Sequence, residues 1–564
     1  MRIEHVLTDK IRGYILFSLI GLFAFFSGEG IFKVMAERTL GSILRHNIAT
    51  IAALFTLLAF YSENFIPLFF NVKKVGLPSI KQAAPLLLFA VVLGIAIVVY
   101  SGFGIIYGGI ILLIALCLGL SVFFIFTEKP FNAFCIFWFM YPFLYFVQTQ
   151  GGSIGVERPV FFDVLIVPFS SVYVLLLFCC NILANLKKGT SYKDDNLRFI
   201  YWFIFLSIPS LFFSKNPMKS SVYFAFDIIA PIMYFMFALN AIKNREQIGR
   251  AIQAMLFSLL VFIFITTYFF MKSGHEEGGL GLYESEGAMM QFGELASFSV
   301  IMFPFSFVFY KITNKKVYLF LLLIFAVLGV LSNVRGVALA LLSAILLLLI
   351  FSKIDVPKKI FIVSVVLACL LLMFLLSHTL ELGVETSHRL FLTISQLKAS
   401  TDMNEISGGR WEIWESALRM IKDHPIMGIG AGMWQDYAFL YKSREYTAYY
   451  PGYGYSFYYS VDAHNLFLDL YLKYGVLPLL LFLYFLFNIL KKCFRAYKQE
   501  ADNNAKRFIM ATYISLIAWL VISMFDYRFY SYQGGTVLSG IFFWSIIGIF
   551  LKSLEMRAKQ KESV

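Results

Sequence analysis

Long apolar segments recur along most of this chain, and they constrain its fold more than any other feature. Of its 564 residues, 60% are hydrophobic and only 14% are charged. A soluble domain averages about 25% charged residues, whereas a helix that spans a membrane needs about 20 mostly apolar ones. About sixteen segments meet that requirement, at residues 11–27, 48–70, 83–100, 103–126, 130–147, 160–183, 198–213, 220–240, 250–271, 290–310, 317–333, 336–352, 359–377, 465–490, 508–525 and 534–551. The sequence therefore predicts an all-α fold, a polytopic transmembrane helical bundle of about 14–16 spans.

Lysine and arginine are unevenly distributed between the loops, and this distribution predicts the orientation of the bundle. The formal net charge is +13. Counting the spans between the basic clusters puts all of them on one side, and cytoplasmic loops are those enriched in lysine and arginine. The clusters lie at residues 73–81, 187–193, 243–250, 311–316, 353–359, 491–507 and 552–561. Both termini are therefore expected in the cytoplasm, and no nucleic-acid partner is needed to explain the charge.

The long polar interval at residues 378–463 is expected on the outer side, and it contains a short amphipathic helix at 410–421. The apolar side chains of this helix recur at helical spacing and are Trp411, Trp414, Leu418 and Ile421. Such a helix lies along a membrane surface with its indoles at the level of the headgroups. Arg410 then occupies its first turn, where free N–H groups also favour a phosphate.

Two arginines are candidates for binding phosphate. Arg335 lies at the outer end of a tight hairpin, against the positive-inside bias, and Arg410 lies in the long outer loop. A guanidinium stays charged and can bind phosphate oxygens through two parallel hydrogen bonds. Both positions suit a diphosphate headgroup whose lipid tail stays in the bilayer. The alternative for each arginine is snorkelling to the interface or an ion pair with a loop carboxylate.

His464 is a candidate general base at the point where the long loop re-enters the membrane. It follows Asp462 and directly precedes Asn465. Imidazole titrates near neutral pH and can accept a proton from a sugar hydroxyl. The alternative is a histidine that caps a helix at the interface or that is satisfied by the backbone. No spacing of histidine, cysteine or carboxylate residues suggests a metal site, and none of the six cysteines lies in the long loop, so neither a metal nor another cofactor is expected.

Other patterns leave more than one interpretation open. The run Gly428–Gly432 loosely resembles a phosphate loop, but it lacks the preceding strand and the following Lys-Ser/Thr, which favours a tight turn. The tyrosines at 437–459 suit either stacking on sugar rings or an interfacial belt. Asp163 and Asp227 lie inside predicted helices. A carboxylate there suits a functional role, a contact with the helix dipole, or a pair with one of the outer arginines.

The order of these features resembles the O-antigen ligase and O-antigen polymerase family of bacterial lipid-linked glycan transferases. The resemblance rests on Val334-Arg335-Gly336 in a hairpin, Gly409-Arg410-Trp411-Glu-Ile-Trp414 in a long outer loop, a glycine turn from Pro425 to Gly430, and His464-Asn465 at the start of the next helix. It covers roughly the last 250 residues well and extends back to about residue 130 by topology only.

The resemblance implies a metal-independent, inverting glycosyl transfer on the outer face of the inner membrane. The donor would be a glycan on undecaprenyl diphosphate, and the acceptor would be a sugar hydroxyl. By the same resemblance, Arg335 and Arg410 bind the diphosphate and His464 activates the acceptor hydroxyl. Candidates for supporting roles are Asp462, Asn465, Trp411, Trp414 and Arg419.

Within the family, the acceptor remains open. A ligase moves the finished glycan onto a lipid A-core sugar, and a polymerase moves it onto another lipid-linked repeat unit. One hairpin arginine plus the arginine-to-histidine loop fits the ligase slightly better. Transfer to a protein hydroxyl fits less well, because only a short basic tail follows Leu551. A polysaccharide transporter or flippase is the alternative from another class, and the similar segments around Asp163 and Asp227 are the hint for it.

The sequence divides into four predicted regions. Residues 1–128 would form extra N-terminal helices, and residues 129–377 would form the transmembrane core. Residues 378–464 would form the catalytic outer loop, and residues 465–564 the last helices with a short basic tail. The first apolar segment is expected to be a transmembrane helix rather than a removed signal peptide, because no small-residue cleavage site follows it. The expected partners are the lipid-linked donor, a glycan or lipid A-core acceptor, and membrane lipids.

Overall fold

The part of the chain that the structure describes is helical. A computed structural model describes residues 117–125, 127–150, 174, 176–182, 195–273, 286–331, 334–351, 410–441, 463–525 and 537–562. Within those ranges the chain forms helices joined by turns, and no strand occurs. This confirms the predicted all-α class. The residues outside the described ranges include Asp163, Asp462 and the predicted spans at 11–27, 48–70, 83–100 and 359–377.

The chain divides into two compact units. One comprises Met1–Phe137 with Gly151–Ser191, and the other comprises Trp138–Gln150 with Tyr192–Val564. In the first unit, residues 117–125 are helical, and Ser121 Oγ donates a hydrogen bond to the Cys117 carbonyl at 2.7 Å. This bond satisfies a buried hydroxyl inside an apolar helix. The four regions predicted from the sequence remain a prediction.

The first unit also contains the described helical residues 174 and 176–182, and the second unit contains the other described helices, apart from the start of α1. In chain order they are α1 (Pro130–Gln150), α2 (Asp195–Phe212), α3 (Pro217–Phe224), a π-helical turn (Ala225–Ile229), α4 (Ala230–Ala241), α5 (Arg245–Ser273), α6 (Glu286–Thr313), α7 (Lys316–Leu331), α8 (Arg335–Phe351), α9 (Arg410–Asp423), α10 (Trp434–Tyr441), α11 (Leu466–Tyr474), α12 (Val476–Gln499), α13 (Asn503–Phe525) and α14 (Val537–Glu562).

Five helical segments in the described ranges are long and apolar enough to cross a membrane. They are Pro217–Ala241, Arg245–Thr266, Gly293–Thr313, Val476–Gln499 and Asn503–Phe525. Shorter apolar helices lie within α1, α2, α7 and α8. The protein is therefore a polytopic helical membrane protein.

The predicted span at 465–490 is two helices rather than one. Gly475 separates α11 from α12, with a φ of 85° and a ψ of −176°. Essentially only glycine adopts this combination of angles. The apolar pattern continues on both sides of Gly475, so hydropathy alone could not reveal the break.

The predicted span at 220–240 contains a π-helical turn. Pro231 has no N–H and cannot donate to the carbonyl of Asp227, four residues earlier. The Ala230 N–H bonds to the Ala225 carbonyl, five residues earlier, which widens the helix at this point. Turns of this kind are frequent at functional sites, and this one contains the buried Asp227.

Aromatic side chains pack at the centre of the second unit. The rings of Phe298 in α6 and Phe542 in α14 stack with centroids 4.7 Å apart. Trp138 and Tyr141 of α1 pack on the same Phe542 ring, at 5.5 and 6.3 Å. All four side chains are fully buried. Because lipid provides little hydrophobic drive between helices, close packing of this kind holds a membrane bundle together.

Basic segments gather at one end of the second unit. Tyr497, near the end of α12, packs edge-on against Phe351, the last residue of α8, with ring centroids 5.2 Å apart. Arg557 of α14 lies 3.1 Å from Glu500, just beyond α12. Helix α13 begins at Asn503, just after Glu500, so its start lies at this basic end. Its last residues, 524–525, lie at the opposite end of the helix. The functional candidates described below meet at that opposite end.

We expect Gly475→Ala to destabilise the protein. A Cβ at this position would collide with the Ile426 carbonyl, and the backbone strain alone would cost about 1–3 kcal/mol. The melting temperature of the purified protein in detergent measures the effect. Gly249→Ala is the matched control, because no heavy atom lies within 4 Å of the added Cβ in α5. That variant should melt at the wild-type temperature or slightly above it, and equal melting temperatures for the two variants would contradict the expectation.

Candidate functional site

Helix α9, which begins at Arg410, uses one face to pack on α11. The side chains that it buries in this apolar cluster are Ile413, Ala417, Met420 and Ile421. Their spacing of i, i+4, i+7 and i+8 matches the helical period. Trp411 and Leu418 are 44% and 54% exposed on the other side. The sequence predicted that Trp411, Leu418 and Ile421 face the membrane. Ile421 instead packs on protein, and membrane contact by Trp411 and Leu418 remains a prediction.

Trp414 connects α9 to the residue before His464. Its indole Nε1 donates a hydrogen bond to the Ala463 carbonyl at 3.0 Å. Arg410 lies one helical turn before Trp414, and residues four apart share a face of a helix, with Cβ atoms about 5–6 Å apart. The half-buried Arg410 is therefore on the side of α9 that meets the His464 segment.

His464 occupies an uncommon backbone conformation that its neighbour Asn465 helps to fix. Its φ is 47°, in the left-handed region that few residues other than glycine adopt. The Asn465 side chain caps α11 by accepting hydrogen bonds from the backbone N–H groups of Phe467 and Leu468. Its Nδ2 also donates to the Met524 carbonyl of α13 at 2.9 Å. The helix cap is thus Asn465, so the alternative of a helix-capping histidine does not describe His464.

The start of α8 reaches the same end of α13. Arg335 is the first residue of α8, and only its backbone is described. A Cβ on the adjacent Gly336 would lie 2.9 Å from the Phe525 Cβ, so the two backbones approach closely. Because Asn465 contacts Met524 and Gly336 contacts Phe525, the structure brings the segments of Arg335 and His464 to one end of α13. The hydrogen bond from Trp414 to Ala463 brings α9, the helix that begins at Arg410, to the same segments.

Arg419 is not part of this convergence. It pairs with Glu415 one turn earlier on α9, at 2.6 Å, and both side chains are exposed. An exposed pair of this kind contributes little to stability. The predicted supporting role of Arg419 therefore gains no contact with the His464 segment in the described part of the chain.

The glycine run after α9 is a turn that caps α11, and its geometry does not suit a phosphate loop. The Ile429 N–H donates to the Leu472 carbonyl at 2.7 Å, and the Gly430 N–H donates to the Lys473 carbonyl at 3.1 Å. The Gly428 N–H donates to the His424 carbonyl. These three donors are therefore occupied by backbone carbonyls, and the predicted interpretation as a tight turn is correct.

Helix α10 contacts the loop before α3 and the first turn of α3 through two lysines. Lys219 Nζ lies 3.1 Å from an Asp436 carboxylate oxygen, and Lys215 Nζ lies 4.0 Å from the centre of the Tyr437 ring. The Tyr441 hydroxyl donates to Asp423 at 2.8 Å. Burial and this hydrogen bond raise the pKa of Tyr441 to about 12, so its phenol remains a neutral donor. The two tyrosines thus have structural contacts, and the tyrosines at 442–459 lie outside the described residues.

A buried ion cluster joins α11 to the π-helical turn, and sequence reasoning missed two of its members. Lys473 Nζ lies 2.7 Å from an Asp469 carboxylate oxygen and 3.7 Å from one of Asp227. All three side chains are buried. Asp227 thus lies beside Lys473, and of Arg335, one of the two outer arginines, only the backbone is described. The available signal was an aspartate followed four residues later by a lysine inside a predicted span, the spacing of a helical ion pair.

Comparison with known proteins finds a family model that matches part of the chain. Residues 319–483 match the family model for O-antigen ligase. The match extends from α7 into α12 and includes Arg335, Arg410 and His464. No curated protein matches the chain. The match confirms the resemblance to the O-antigen ligase and polymerase family, and the roles of individual residues remain predictions.

We expect Trp414→Phe to loosen the contact between α9 and α11. Loss of the indole donor leaves the buried Ala463 carbonyl without that bond, which should lower the free energy of unfolding by about 1 kcal/mol. The melting temperature of the purified variant measures this loss. Trp202→Phe is the matched control, because Trp202 is 57% exposed on α2. A wild-type melting temperature for Trp414→Phe would contradict the expectation.

Proposed function

We propose that this chain, which carries an O-antigen ligase domain, moves a glycan from undecaprenyl diphosphate to a sugar hydroxyl of an acceptor. The observation that carries the proposal is the convergence of three segments at one end of α13. The start of α8 contacts Phe525, the Asn465 cap bonds to Met524, and Trp414 of α9 bonds to Ala463. A donor phosphate, a general base and an acceptor must meet in one place for such a transfer.

Arg335 and Arg410 are the proposed ligands of the diphosphate. Each is the first residue of a helix, α8 and α9. The first turn of a helix has free N–H groups and a partial positive charge, both of which favour an anion. A guanidinium adds two parallel hydrogen bonds to phosphate oxygens. This grip would stabilise the negative charge that develops on the leaving diphosphate.

His464 is the proposed general base. Its imidazole would take the proton of the acceptor hydroxyl while that oxygen attacks the anomeric carbon. The bond from this carbon to the diphosphate oxygen would break, and its electron pair would leave with the diphosphate. A single displacement inverts the configuration at the anomeric carbon. In this mechanism the arginines neutralise the leaving group, so we propose that the reaction needs no metal.

The proposed site faces the outer side of the inner membrane. The basic segments that meet at Tyr497 and Glu500 have the composition of cytoplasmic loops. The convergence lies at the opposite end of α13, which supports an outer location. A lipid-linked donor could then keep its tail in the bilayer with its diphosphate at this level.

We favour transfer onto a lipid A-core sugar over polymerisation, because one hairpin arginine with the arginine-to-histidine loop fits a ligase. The transporter alternative loses its hint at Asp227. This carboxylate lies in a buried ion cluster with Lys473, and a contact between helices accounts for its presence without a transported ion.

Removing the protein from its host cell tests the function. We expect long glycans to accumulate on undecaprenyl diphosphate and to disappear from the lipid A-core, because the final transfer is lost. Single repeat units on the lipid A-core would instead indicate a polymerase. Surface glycan and carrier lipid are analysed by electrophoresis and mass spectrometry, and re-expression of the wild-type protein is the control. Unchanged glycans on both lipids would contradict the proposed function.

Variants of the two described site residues test the mechanism. We expect Arg410→Ala and His464→Ala to reduce transfer at least about 100-fold, the effect expected for loss of a general base or of a charge-stabilising group. Arg410→Lys should lose most activity, because an ammonium cannot form two parallel hydrogen bonds. His464→Asn separates chemistry from backbone strain, because asparagine tolerates a left-handed φ.

The assay follows transfer of a labelled glycan from purified undecaprenyl-diphosphate donor in the presence of a chelator. Arg250→Lys is the matched control, because Arg250 forms an exposed pair with Glu246 on α5. Membrane levels of every variant are measured in parallel. Wild-type transfer by Arg410→Ala or by His464→Asn would refute the corresponding role.

A further inference from the structure

A buried carboxylate lies near the start of α6, and the proposed chemistry does not use it. Glu294 is the second residue of the apolar segment Gly293–Thr313, and its side chain is buried. A carboxylate inside a transmembrane segment is costly, so it is usually paired with a cation or with other polar groups, and it often belongs to a functional site. The helices packed around Glu294 therefore indicate what it serves.

Glu294 lies on the face of α6 that packs against α13. Glu294, Ile301 and Phe305 follow one another at i, i+7 and i+11, so they share one face of the helix. The Ile301 carbonyl accepts a hydrogen bond from Ser515 Oγ of α13 at 2.6 Å. The Phe305 ring lies 5.6 Å from the ring of Phe508, also in α13. Glu294 therefore continues this contact face toward the start of α6.

The same contacts show how far along α13 the carboxylate lies. They pair later residues of α6 with earlier residues of α13, so the two helices run antiparallel. Glu294 precedes Ile301 by seven residues, which is about 10 Å at about 1.5 Å per residue. The same step past Ser515 reaches Ile522, three residues before Phe525. Phe525 is the residue at which α13 meets the start of α8.

Contacts of α7 place Glu294 and Arg335 at one level. A Cβ on Gly329 of α7 would lie 2.8 Å from the Val300 side chain of α6 and 3.0 Å from that of Leu341 in α8. Short turns join α7 to both neighbours, so α6 and α8 run in the same direction. Glu294 precedes Val300 by six residues, and Arg335 precedes Leu341 by six, a step of about 9 Å in each helix. The two steps end side by side.

We propose that Glu294 is a positioning residue that pairs with the Arg335 guanidinium and aims it at the donor diphosphate. The inference rests on the proposed function, in which Arg335 binds that diphosphate. A guanidinium has five N–H donors in a fixed planar fork, so a carboxylate can accept two of them and leave the others for phosphate oxygens. An arginine held in this way need not be ordered when the donor binds.

A merely structural carboxylate makes a different prediction. The Tyr141 ring of α1 lies 6.0 Å from the ring of Phe298, one turn after Glu294 on α6, so packing against α1 is the alternative use of Glu294. In that case, Glu294→Gln would lower the amount or the melting temperature of the protein. The folded fraction would keep the wild-type kcat/KM, and the effects of Glu294→Gln and Arg335→Gln would add.

Enzyme kinetics of the purified full-length protein test the positioning. For Glu294→Gln we expect kcat/KM for the donor to fall roughly tenfold or more, because a misplaced catalytic group is costly. KM for the acceptor should change less than about twofold. Arg335→Gln has already lost the guanidinium, so adding Glu294→Gln to it should lower transfer less than about twofold further.

Melting temperatures in detergent test the pair without a substrate. Removing one partner of a buried pair leaves the other charge without its counter-ion, so Glu294→Gln and Arg335→Gln should each lower the melting temperature. The double variant should melt above the temperature that the sum of the two shifts predicts, because neither charge remains.

Ser306→Ala is the matched control in both measurements. Its hydroxyl is buried in the same helix, about 18 Å further along α6, and donates to the Met302 carbonyl of that helix. The variant should keep the wild-type kcat/KM. Combined with Arg335→Gln, it should give the sum of the two shifts in melting temperature.

A wild-type kcat/KM for the donor in Glu294→Gln would overturn the proposal, and so would additive shifts in melting temperature for Glu294→Gln and Arg335→Gln. If Glu294→Gln does not accumulate, Glu294→Asp replaces it, because aspartate keeps the charge but withdraws it by one methylene. Its kcat/KM for the donor then decides in the same way. Absence of glycan transfer by the wild-type protein would refute the proposed function alone, because the melting temperatures still test the pair.

Discussion

The site depends on how the two ends of α11 are capped. A helix leaves its first N–H groups and its last carbonyls without partners inside the helix, and both ends of α11 find partners in other segments. At the start, the Asn465 side chain accepts two backbone N–H groups and reaches Met524 of α13. At the end, the glycine turn after α9 donates to the carbonyls of Leu472 and Lys473. The segment that carries His464 is therefore fixed by the same bonds that complete the helix.

Charge is distributed along the bundle in a way that supports this arrangement. Basic side chains lie at one end of the second unit, where Arg557 meets Glu500. Near the other end, the buried carboxylates of Asp227 and Asp469 lie on either side of one cation, Lys473. The two arginines of the proposed diphosphate site are the first residues of α8 and α9, where a helix favours anions. The basic segments around Glu500 and the two arginines of the proposed site thus lie toward opposite ends of α13.

Much of the fold and part of the site could be predicted from the sequence. Apolar length located the helices of the core, and helical spacing located α9 at Arg410–Asp423, two residues longer than predicted. The expectation that a helix opens at His464-Asn465 is correct, with Asn465 as its cap. These features depend on residues close together in the chain, so local patterns reveal them.

The remaining features depend on contacts between distant segments. Asp227 and Lys473 meet although more than two hundred residues separate them in the chain, and no local pattern predicts that pairing. The glycine turn was recognisable as a turn, but its bonds to the end of α11 were not. The buried face of α9 was also not predicted. The apolar face was assigned from the spacing of Trp411 and Trp414, whereas the structure buries Ile413 and Met420.

The break at Gly475 has a consequence for how the protein responds to its bilayer. A helix that spans a membrane tilts when the thickness of the hydrocarbon layer changes. If residues 466–499 were one continuous rod, such a tilt would move His464 together with the span. Helix α11 ends at Gly475, and its last carbonyls bond to the turn after α9. We therefore expect α12 to tilt while α11 keeps its place. We expect this arrangement to shield the proposed reaction centre from differences in lipid composition.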